Sequence, residues 1–250
     1  MEFRDDVLIR YARQILLSEV GEDGQERLSK ARVLIVGAGG LGVPVASYLG
    51  ASGVSVIGIA DGDTVALSNL PRQVAYATED VGALKTAQLK AYIIGNNPLV
   101  EVVEHPYLTE QSVRSIVADY DIVADCSDNF PTRYLVNAAC MELGKILVFA
   151  ALSRFSGQLA VFSPLGSCYQ CMVPEPPDRA VAQSCVEGGI LGPVAGLVGC
   201  WQALEVLKQI LGIKPNMQGK LMLLDGLDNR THMIRLIKNT ACPVCGKLGG

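Results

Sequence analysis

The stretch ARVLIVGAGGLG, Ala31 to Gly42, decides the fold. Every residue from Val33 to Val36 is apolar, which is the signature of a short strand buried on both faces of a sheet. The run breaks on Gly37, and Gly37, Gly39 and Gly42 fit G-x-G-x-x-G between this strand and a helix reaching about Ser52. In that motif the first glycine permits the tight turn, the second lets backbone approach a phosphate and the third allows close helix packing. Gly40 lies within the same loop, and the helix N-terminus supplies N–H groups and a partial positive charge to an anion. VSVIGIAD is a second strand ending on Asp61, about twenty residues downstream, where a carboxylate accepts hydrogen bonds from ribose hydroxyls.

Outward from this unit, a helix is expected over about Asp6–Leu17, others over Leu84–Asn96 and Thr109–Ala118, and one in NFPTRYLVNAACMELG. Strands are expected around Val100–Glu104, in DIVADC and in KILVFAA. Strands alternating with helices at this spacing predict a parallel sheet with helical crossovers. After about residue 155 the pattern changes: GQLAVFSP, KLMLLDG and HMIRLIK read as antiparallel strands. The expected fold is therefore α/β, a Rossmann-like mostly parallel sheet continuing into antiparallel strands. We expect a single domain over 1–250, with a nucleotide-binding half at about 30–150 and a partner-binding and metal half at about 151–246.

Half of the 250 residues are hydrophobic and 18% are charged, enough for one large core. A net charge of -4 gives no support for a nucleic-acid or anionic-membrane surface. EFRDDVLIRYARQ lacks the basic and apolar regions of a signal peptide, and with eight cysteines this points to a reducing cytoplasm. The longest apolar run, Ile190–Leu211, carries Gln202, Glu205, Lys208 and Gln209 and so reads as a buried or interface helix rather than a membrane span.

Two Cys-x-x-Cys pairs, Cys168–Cys171 in GSCYQCMVP and Cys242–Cys245 in ACPVCGK, lie about seventy residues apart. Four thiolates in two turn-rich pairs suit a tetrahedral zinc ion with no open position, a structural clip from mid-chain to tail. Two redox dithiols or two disulfides are the alternatives. Cys126, Cys140 and Cys200 read as buried packing residues.

The chemistry is sought after the second strand. DTVALSNLPRQ, Asp63 to Gln73, brings Ser68, Asn69 and Arg72, EDVGALK adds Lys85, and Asp128-Asn129 follows the fourth strand at the carboxyl edge of the sheet. Two cations, an amide and a carboxylate suit a triphosphate with Mg²⁺ better than a nicotinamide. His105 and His232, the two histidines, lie in no motif, so a Ser-His-Asp hydrolase is poorly supported. Cys185, in AQSCVEGG, sits in a turn-rich segment before the apolar helix, either as a reactive thiol or as an inert one.

RYARQILL, GAGGLG, DTVALSNLPRQ, DCSDN, CVEGGILGP and the paired CxxC together resemble the ThiF/MoeB/HesA family of bacterial E1-like adenylyltransferases. The resemblance covers almost the whole chain. It implies ATP-dependent adenylation of the C-terminal glycine of a small ubiquitin-fold sulfur carrier, a homodimer and a structural zinc. It places Gly40, Asp61, Asn69, Arg72, Lys85 and Asp128 along the ATP site and sends Arg13 to the other subunit's site. From the residues alone Arg13 is one charge on an amphipathic helix.

In relatives, a cysteine at the place of Cys185 either links covalently to the carrier or is dispensable. The chain stops soon after Cys245, so a separate sulfur donor such as a cysteine desulfurase or rhodanese is expected. The ending Leu248-Gly249-Gly250 is read as a free tail. The CVE element favours the molybdopterin branch, while TEDVG and CPVC leave the thiamine (thiazole) branch open. Two other classes remain: an NAD-dependent oxidoreductase and a non-catalytic zinc-stabilised binding module.

Overall fold

Successive residues of β1 (Arg32–Val36) serve opposite faces of one sheet. Val33 and Ile35 enter one core, Leu34 and Val36 the other. β2 (Val56–Ala60) does the same with Ile57 and Ile59 against Val56 and Ala60, so the central strands are apolar throughout. The structure, a computed structural model, describes residues 4–177, 189–214 and 216–248.

Three further strands complete the parallel part: β3 (Glu101–His105), β4 (Ile122–Asp125) and β5 (Ile146–Ser153). β6 (Ser156–Phe162), β7 (Lys220–Asp225) and β8 (Arg230–Arg235) then add antiparallel pairs. Among the described residues the sheet order is β3-β2-β1-β4-β5-β6-β7-β8. The order reverses between β1 and β4, which are parallel neighbours, and the crevice beyond their carboxyl ends is where open α/β sheets bind ligands.

Helices α1 (Asp5–Ile15), α2 (Gly21–Leu28), α3 (Gly42–Ser52) and α4 (Lys85–Asn96) precede α5 (Val113–Ala118), α6 (Phe130–Glu142) and a single turn, α7 (Tyr169–Met172). The apolar run forms α8 (Gly192–Leu211). The sequence reading missed α2, whose residues GEDGQERL are mostly polar, and began α5 four residues early. There Thr109 and Ser112 bond to each other's backbone and form a turn instead. The last strand starts at Arg230 rather than His232 because the turn through Asn229, at φ 53°, closes the hairpin earlier.

α8 is apolar and long enough to cross a membrane, yet half of its most apolar window is buried within the protein. Its polar residues have internal partners. Glu205 accepts from the Met217 backbone at 3.0 Å, and Gln202 Nε2 donates to the carbonyls of Asp125 and Val148 at 2.8 and 3.0 Å. Gly199 lets α8 close on α3, since a Cβ there would lie 2.9 Å from the Leu41 carbonyl oxygen. Cys126 and Cys140 are buried as expected, whereas Cys200 on α8, next to the half-exposed Tyr48 of α3, is only partly so.

Gln202 also accepts from the Cys126 thiol at 3.3 Å, so one amide joins α8 to the sheet beneath the switch point. Gln202→Leu strands these carbonyls and should cost about 2–4 kcal/mol in urea unfolding. A loss below about 0.5 kcal/mol would show that α8 is held by apolar packing alone.

Candidate active site and metal centre

The carboxyl ends of β1, β2 and β4 lie side by side, with Val36 paired to Ala60 and to Asp125. Gly37 takes φ +99°, and a Cβ there would lie 2.9 Å from the Cys126 carbonyl oxygen. A Cβ on Gly42 would overlap the Gly37 carbonyl oxygen, which is why the turn into α3 needs glycine at both ends. Gly39 leaves room bordered by Gln73 Nε2, 3.7 Å from where a Cβ would lie, while Gly40 is flanked by Ala195 on α8 and by Arg72.

Asp61 is buried at the end of β2, and both carboxylate oxygens accept backbone N–H groups. Ala38 donates to Oδ2 and Asp63 to Oδ1, each at 2.7 Å. Burial pushes its pKa above the usual carboxylate value, against the pull of the two N–H groups and of Lys85. Besides facing the crevice edge, Asp61 therefore fixes the glycine loop itself. Tyr76 grips the next peptide of the loop, its hydroxyl donating to the carbonyl of the same Ala38 at 2.8 Å.

Arg72 and Lys85 reach this place by different routes. Arg72 Nη1 donates to the Ser68 carbonyl at 2.9 Å, and its aliphatic stem lies beside Gly40. The Pro71 carbonyl is pressed against Gly192 at the start of α8, which pins the segment over the loop. Lys85 is buried and pairs with Asp63 at 2.8 Å. Tyr107 donates to the other Asp63 oxygen at 2.5 Å. The Lys85 bond first and the Tyr107 bond second hold the Asp63 carboxyl below its usual pKa. Tyr107 is pushed well above the usual phenol value by its bond to Asp63, then by burial and by the charges of Asp63, Asp61 and Asp128.

Asp128 is exposed on the loop after β4, at the same edge. Asn129 beside it is the N-cap of α6, its Oδ1 accepting from the Thr132 backbone at 3.0 Å. Asn69 Oδ1 similarly closes its own turn on the Ala66 backbone at 3.3 Å. Ser68 is exposed and contributes its carbonyl. Arg13 is not brought to this edge of its own chain. α1 is docked at the far end of α3, with Tyr11 against Gly53 and Gln14 on the Ser52 carbonyl at 2.9 Å. The length of α3 alone, about 16 Å at the usual helical rise, separates that end from the glycine loop. Cys185 lies outside the described residues, as do Gly249 and Gly250.

Several residues with site contacts were missed from sequence. Tyr107 and Tyr76 come from loops with no recognisable motif, and Gln73 ends the DTVALSNLPRQ stretch without having been singled out. Asp125, fully buried at the end of β4, accepts from the Ser127 hydroxyl at 2.6 Å and backbone at 3.0 Å, and so shapes the loop bearing Asp128. Arg133 donates to the Ser127 carbonyl at 3.0 Å from the first turns of α6. An available signal was the crowding of polar residues in DCSDN at a strand end. His105 closes the end of β3 beside Asp61, its carbonyl accepting from the Asp61 N–H at 3.2 Å, while its ring bonds the Tyr120 hydroxyl at 2.7 Å.

The four cysteines meet on the opposite face of the sheet, their sulfurs all within 4.8 Å of one another. Cys168 lies 3.9 Å from Cys171 and 3.7 Å from Cys242, and Cys171 lies 3.3 Å from Cys245. Zn–S bonds of about 2.3 Å place tetrahedral sulfurs about 3.8 Å apart, so the set fits zinc. These distances are too long for two disulfides, which need sulfurs about 2.05 Å apart. The Asn239 N–H points to Cys171 at 3.4 Å, the kind of donor that supports a thiolate. Leu248, read from sequence as part of a free tail, is held. Leu248 packs against this core, and Lys238 Nζ donates to its carbonyl.

Fold and site thus define a Rossmann-like α/β protein whose glycine loop is framed by charged side chains and whose tail is clipped by four cysteines. The ThiF family model matches residues 11–244, and the chain belongs to that family. It is 46% identical to the sulfur carrier protein adenylyltransferase of Thermus thermophilus, over 98% of this chain and 93% of that protein. It is also 46% identical to the mouse adenylyltransferase and sulfurtransferase MOCS3, over 98% of this chain, and it spans 54% of that relative's length. A crystal structure of E. coli MccB with ATP matches with TM-score 0.82 at 25% identity, over 95% of this chain and 74% of that one.

Freshly purified protein should carry about one zinc per chain, and Cys242→Ser should lower zinc content and thermal stability together. Metal analysis that finds no zinc in protein with four free thiols would remove the metal clip.

Proposed function

We propose that this chain uses ATP to adenylate the C-terminal glycine of a ubiquitin-fold sulfur carrier protein, releasing pyrophosphate. The observation that carries this reading is the 46% identity to a sulfur carrier protein adenylyltransferase along nearly the whole chain. Within it, a carrier carboxylate, already ionised at neutral pH, attacks the α-phosphorus and the bond to pyrophosphate breaks. No strong base is needed, which agrees with a His105 ring that is engaged with the Tyr120 hydroxyl. The task of the chain is alignment and charge stabilisation.

In this assignment Gly37, Gly39, Gly40 and Gly42 admit the phosphates, and Asp61 anchors the loop while facing the ribose. Arg72 and Lys85 neutralise the transferred and leaving phosphates. Ser68, Asn69 and Asn129 line the rim. Asp128, an exposed carboxylate at the mouth, suits Mg²⁺, which is commonly held by one or two carboxylates together with substrate phosphates and which would neutralise their charge. Cys185 is assigned to capture of the activated carrier after adenylation and not to the ATP step.

Arg13 is assigned to the site of a second copy. Tyr48 on α3 and Leu197 and Leu204 on α8 leave apolar surface for such a homodimer. We assign the nucleotide half to about 30–150 and the carrier and zinc half to about 151–246. The carrier of molybdopterin synthesis is our preferred substrate, on the resemblance of CVEGGILGP, with sulfur supplied by a separate donor.

ATP–pyrophosphate exchange dependent on a Gly-Gly-ending carrier tests the reading. Asp128→Ala should abolish it, and Arg72→Ala should slow it by about 10²-fold or more. Exchange near the wild-type rate in both would refute the site. Mixing Arg13→Ala with Asp128→Ala protein should restore about a quarter of the sites if each site borrows Arg13 from a twofold-related copy. No recovery from subunits shown to exchange would place Arg13 outside the reaction.

A further inference from the structure

Gln73 carries a feature that the reaction scheme above does not use. The residue is 2% exposed, and its Oε1 is enclosed with no hydrogen-bond partner. A buried amide oxygen left unpaired costs free energy, so its persistence needs a reason. The other end of the amide supplies one. Nε2 lies 3.7 Å from the point that a Cβ of Gly39 would occupy. Gly39 is the second glycine of the motif, whose missing side chain leaves room for backbone and phosphate to meet. The NH₂ of Gln73 therefore borders the volume that the loop keeps open for a phosphate.

The surroundings hold the amide there. The backbone N–H of Gln73 donates to the Asn69 carbonyl at 3.0 Å, and its carbonyl accepts from the Tyr76 N–H at 3.1 Å. Tyr76 in turn grips the Ala38 carbonyl, which ties the segment bearing Gln73 to the glycine loop. On the other side Pro71 is pressed against Gly192 at the start of α8. A side chain held at both ends of its segment beside a phosphate-sized space is preorganised, and preorganised donors stabilise developing charge without reorganisation cost.

We propose that Gln73 is a further specificity-determining residue of the site, its side-chain NH₂ acting as an uncharged donor to a phosphate oxygen of the bound nucleotide at Gly39. The inference rests on the ATP reading above. It differs from the role of Arg72 and Lys85 in kind. Cations attract any phosphate, whereas a neutral donor fixed in one direction rewards an oxygen in one position. Gln73 thus acts on the placement of the phosphate more than on the overall attraction of the nucleotide.

The test compares Gln73→Met, similar in length and without a donor, with Gln73→Glu, isosteric with an acceptor in place of the NH₂. ATP affinity is measured by calorimetry on the whole zinc-bound protein, alongside pyrophosphate exchange and thermal unfolding. Gln73→Met should unfold at the same temperature or higher, because the orphaned oxygen is gone. Its ATP affinity or exchange rate should nevertheless fall by about 10-fold or more, and Gln73→Glu should lose more than Gln73→Met. Activity and unfolding temperature that fall in parallel in Gln73→Met would show a packing role and overturn the proposal. Unchanged affinity and exchange in both variants would overturn it as well. If the wild type binds ATP but exchanges no pyrophosphate with any carrier, the adenylation reading fails. The affinities of the two variants then still decide for or against Gln73. A wild type that binds no ATP overturns both.

Discussion

The Asp61 carboxylate is the contact on which the rest of the site depends. It takes the N–H of Ala38 on one oxygen and that of Asp63 on the other. One side chain thereby sets the glycine loop and the start of the following excursion relative to each other. Burial works against this charged group, and the two N–H donors and nearby Lys85 offset the penalty. Through Asp63 the effect extends to Lys85, and through Ala38 it meets Tyr76, whose hydroxyl accounts for the carbonyl of the same residue. Removing the carboxylate would leave the Ala38 N–H without its partner and free both loops at once.

A second constraint comes from α8, which lies about 150 residues from the glycine loop in the chain. Small residues let it approach where larger ones could not. Gly192 receives Pro71, Ala195 flanks Gly40, and Gly199 closes on Leu41. The same composition makes the helix resemble a membrane span by hydropathy, and it is Gln202 and Glu205, with partners inside the protein, that distinguish a core helix from one solvated by lipid. Gly40, Leu41, Pro71, Asp125 and Cys126 therefore owe part of their surroundings to a helix far along the chain. That is a consequence of long-range topology that no local pattern carries.

Much of the fold was legible because its signals are local and periodic. Val33–Val36 must be buried on both faces, and GAGGLG can only turn tightly into a helix. The change to antiparallel strands showed as strands without helices between them. What escaped had no period. α2 is polar along most of its length and is held by partners elsewhere, with Gln25 reaching the Ser52 carbonyl at 3.2 Å. At the site, the residue types with charge stood out, and their order along the chain predicted that they share one edge. The second function of Asp61 did not, because a ribose ligand and a backbone N–H ask the same thing of a carboxylate. Tyr107 and Gln73 sit in segments whose conformation is set by distant contacts, so their proximity to Asp63 and Gly39 follows from the folded loops alone.

The pairing of Lys85 with Asp63 bears on how a polyanion would be received in the proposed reaction. Lys85 is 5% exposed, and Asp63 gives its buried ammonium a counter-charge. Tyr107 steadies Asp63 from the other side. An ammonium has three donors, and only one is engaged with Asp63, so two remain for phosphate oxygens without breaking the pair. The attraction of the cation is muted by its neighbour. In the proposed reaction a triphosphate would meet Arg72 and the loop N–H groups as well, contacts that add to the muted one. Retaining the counter-charge as the ligand arrives would leave the site charged and aligned in both states, with little reorganisation left for the reacting step.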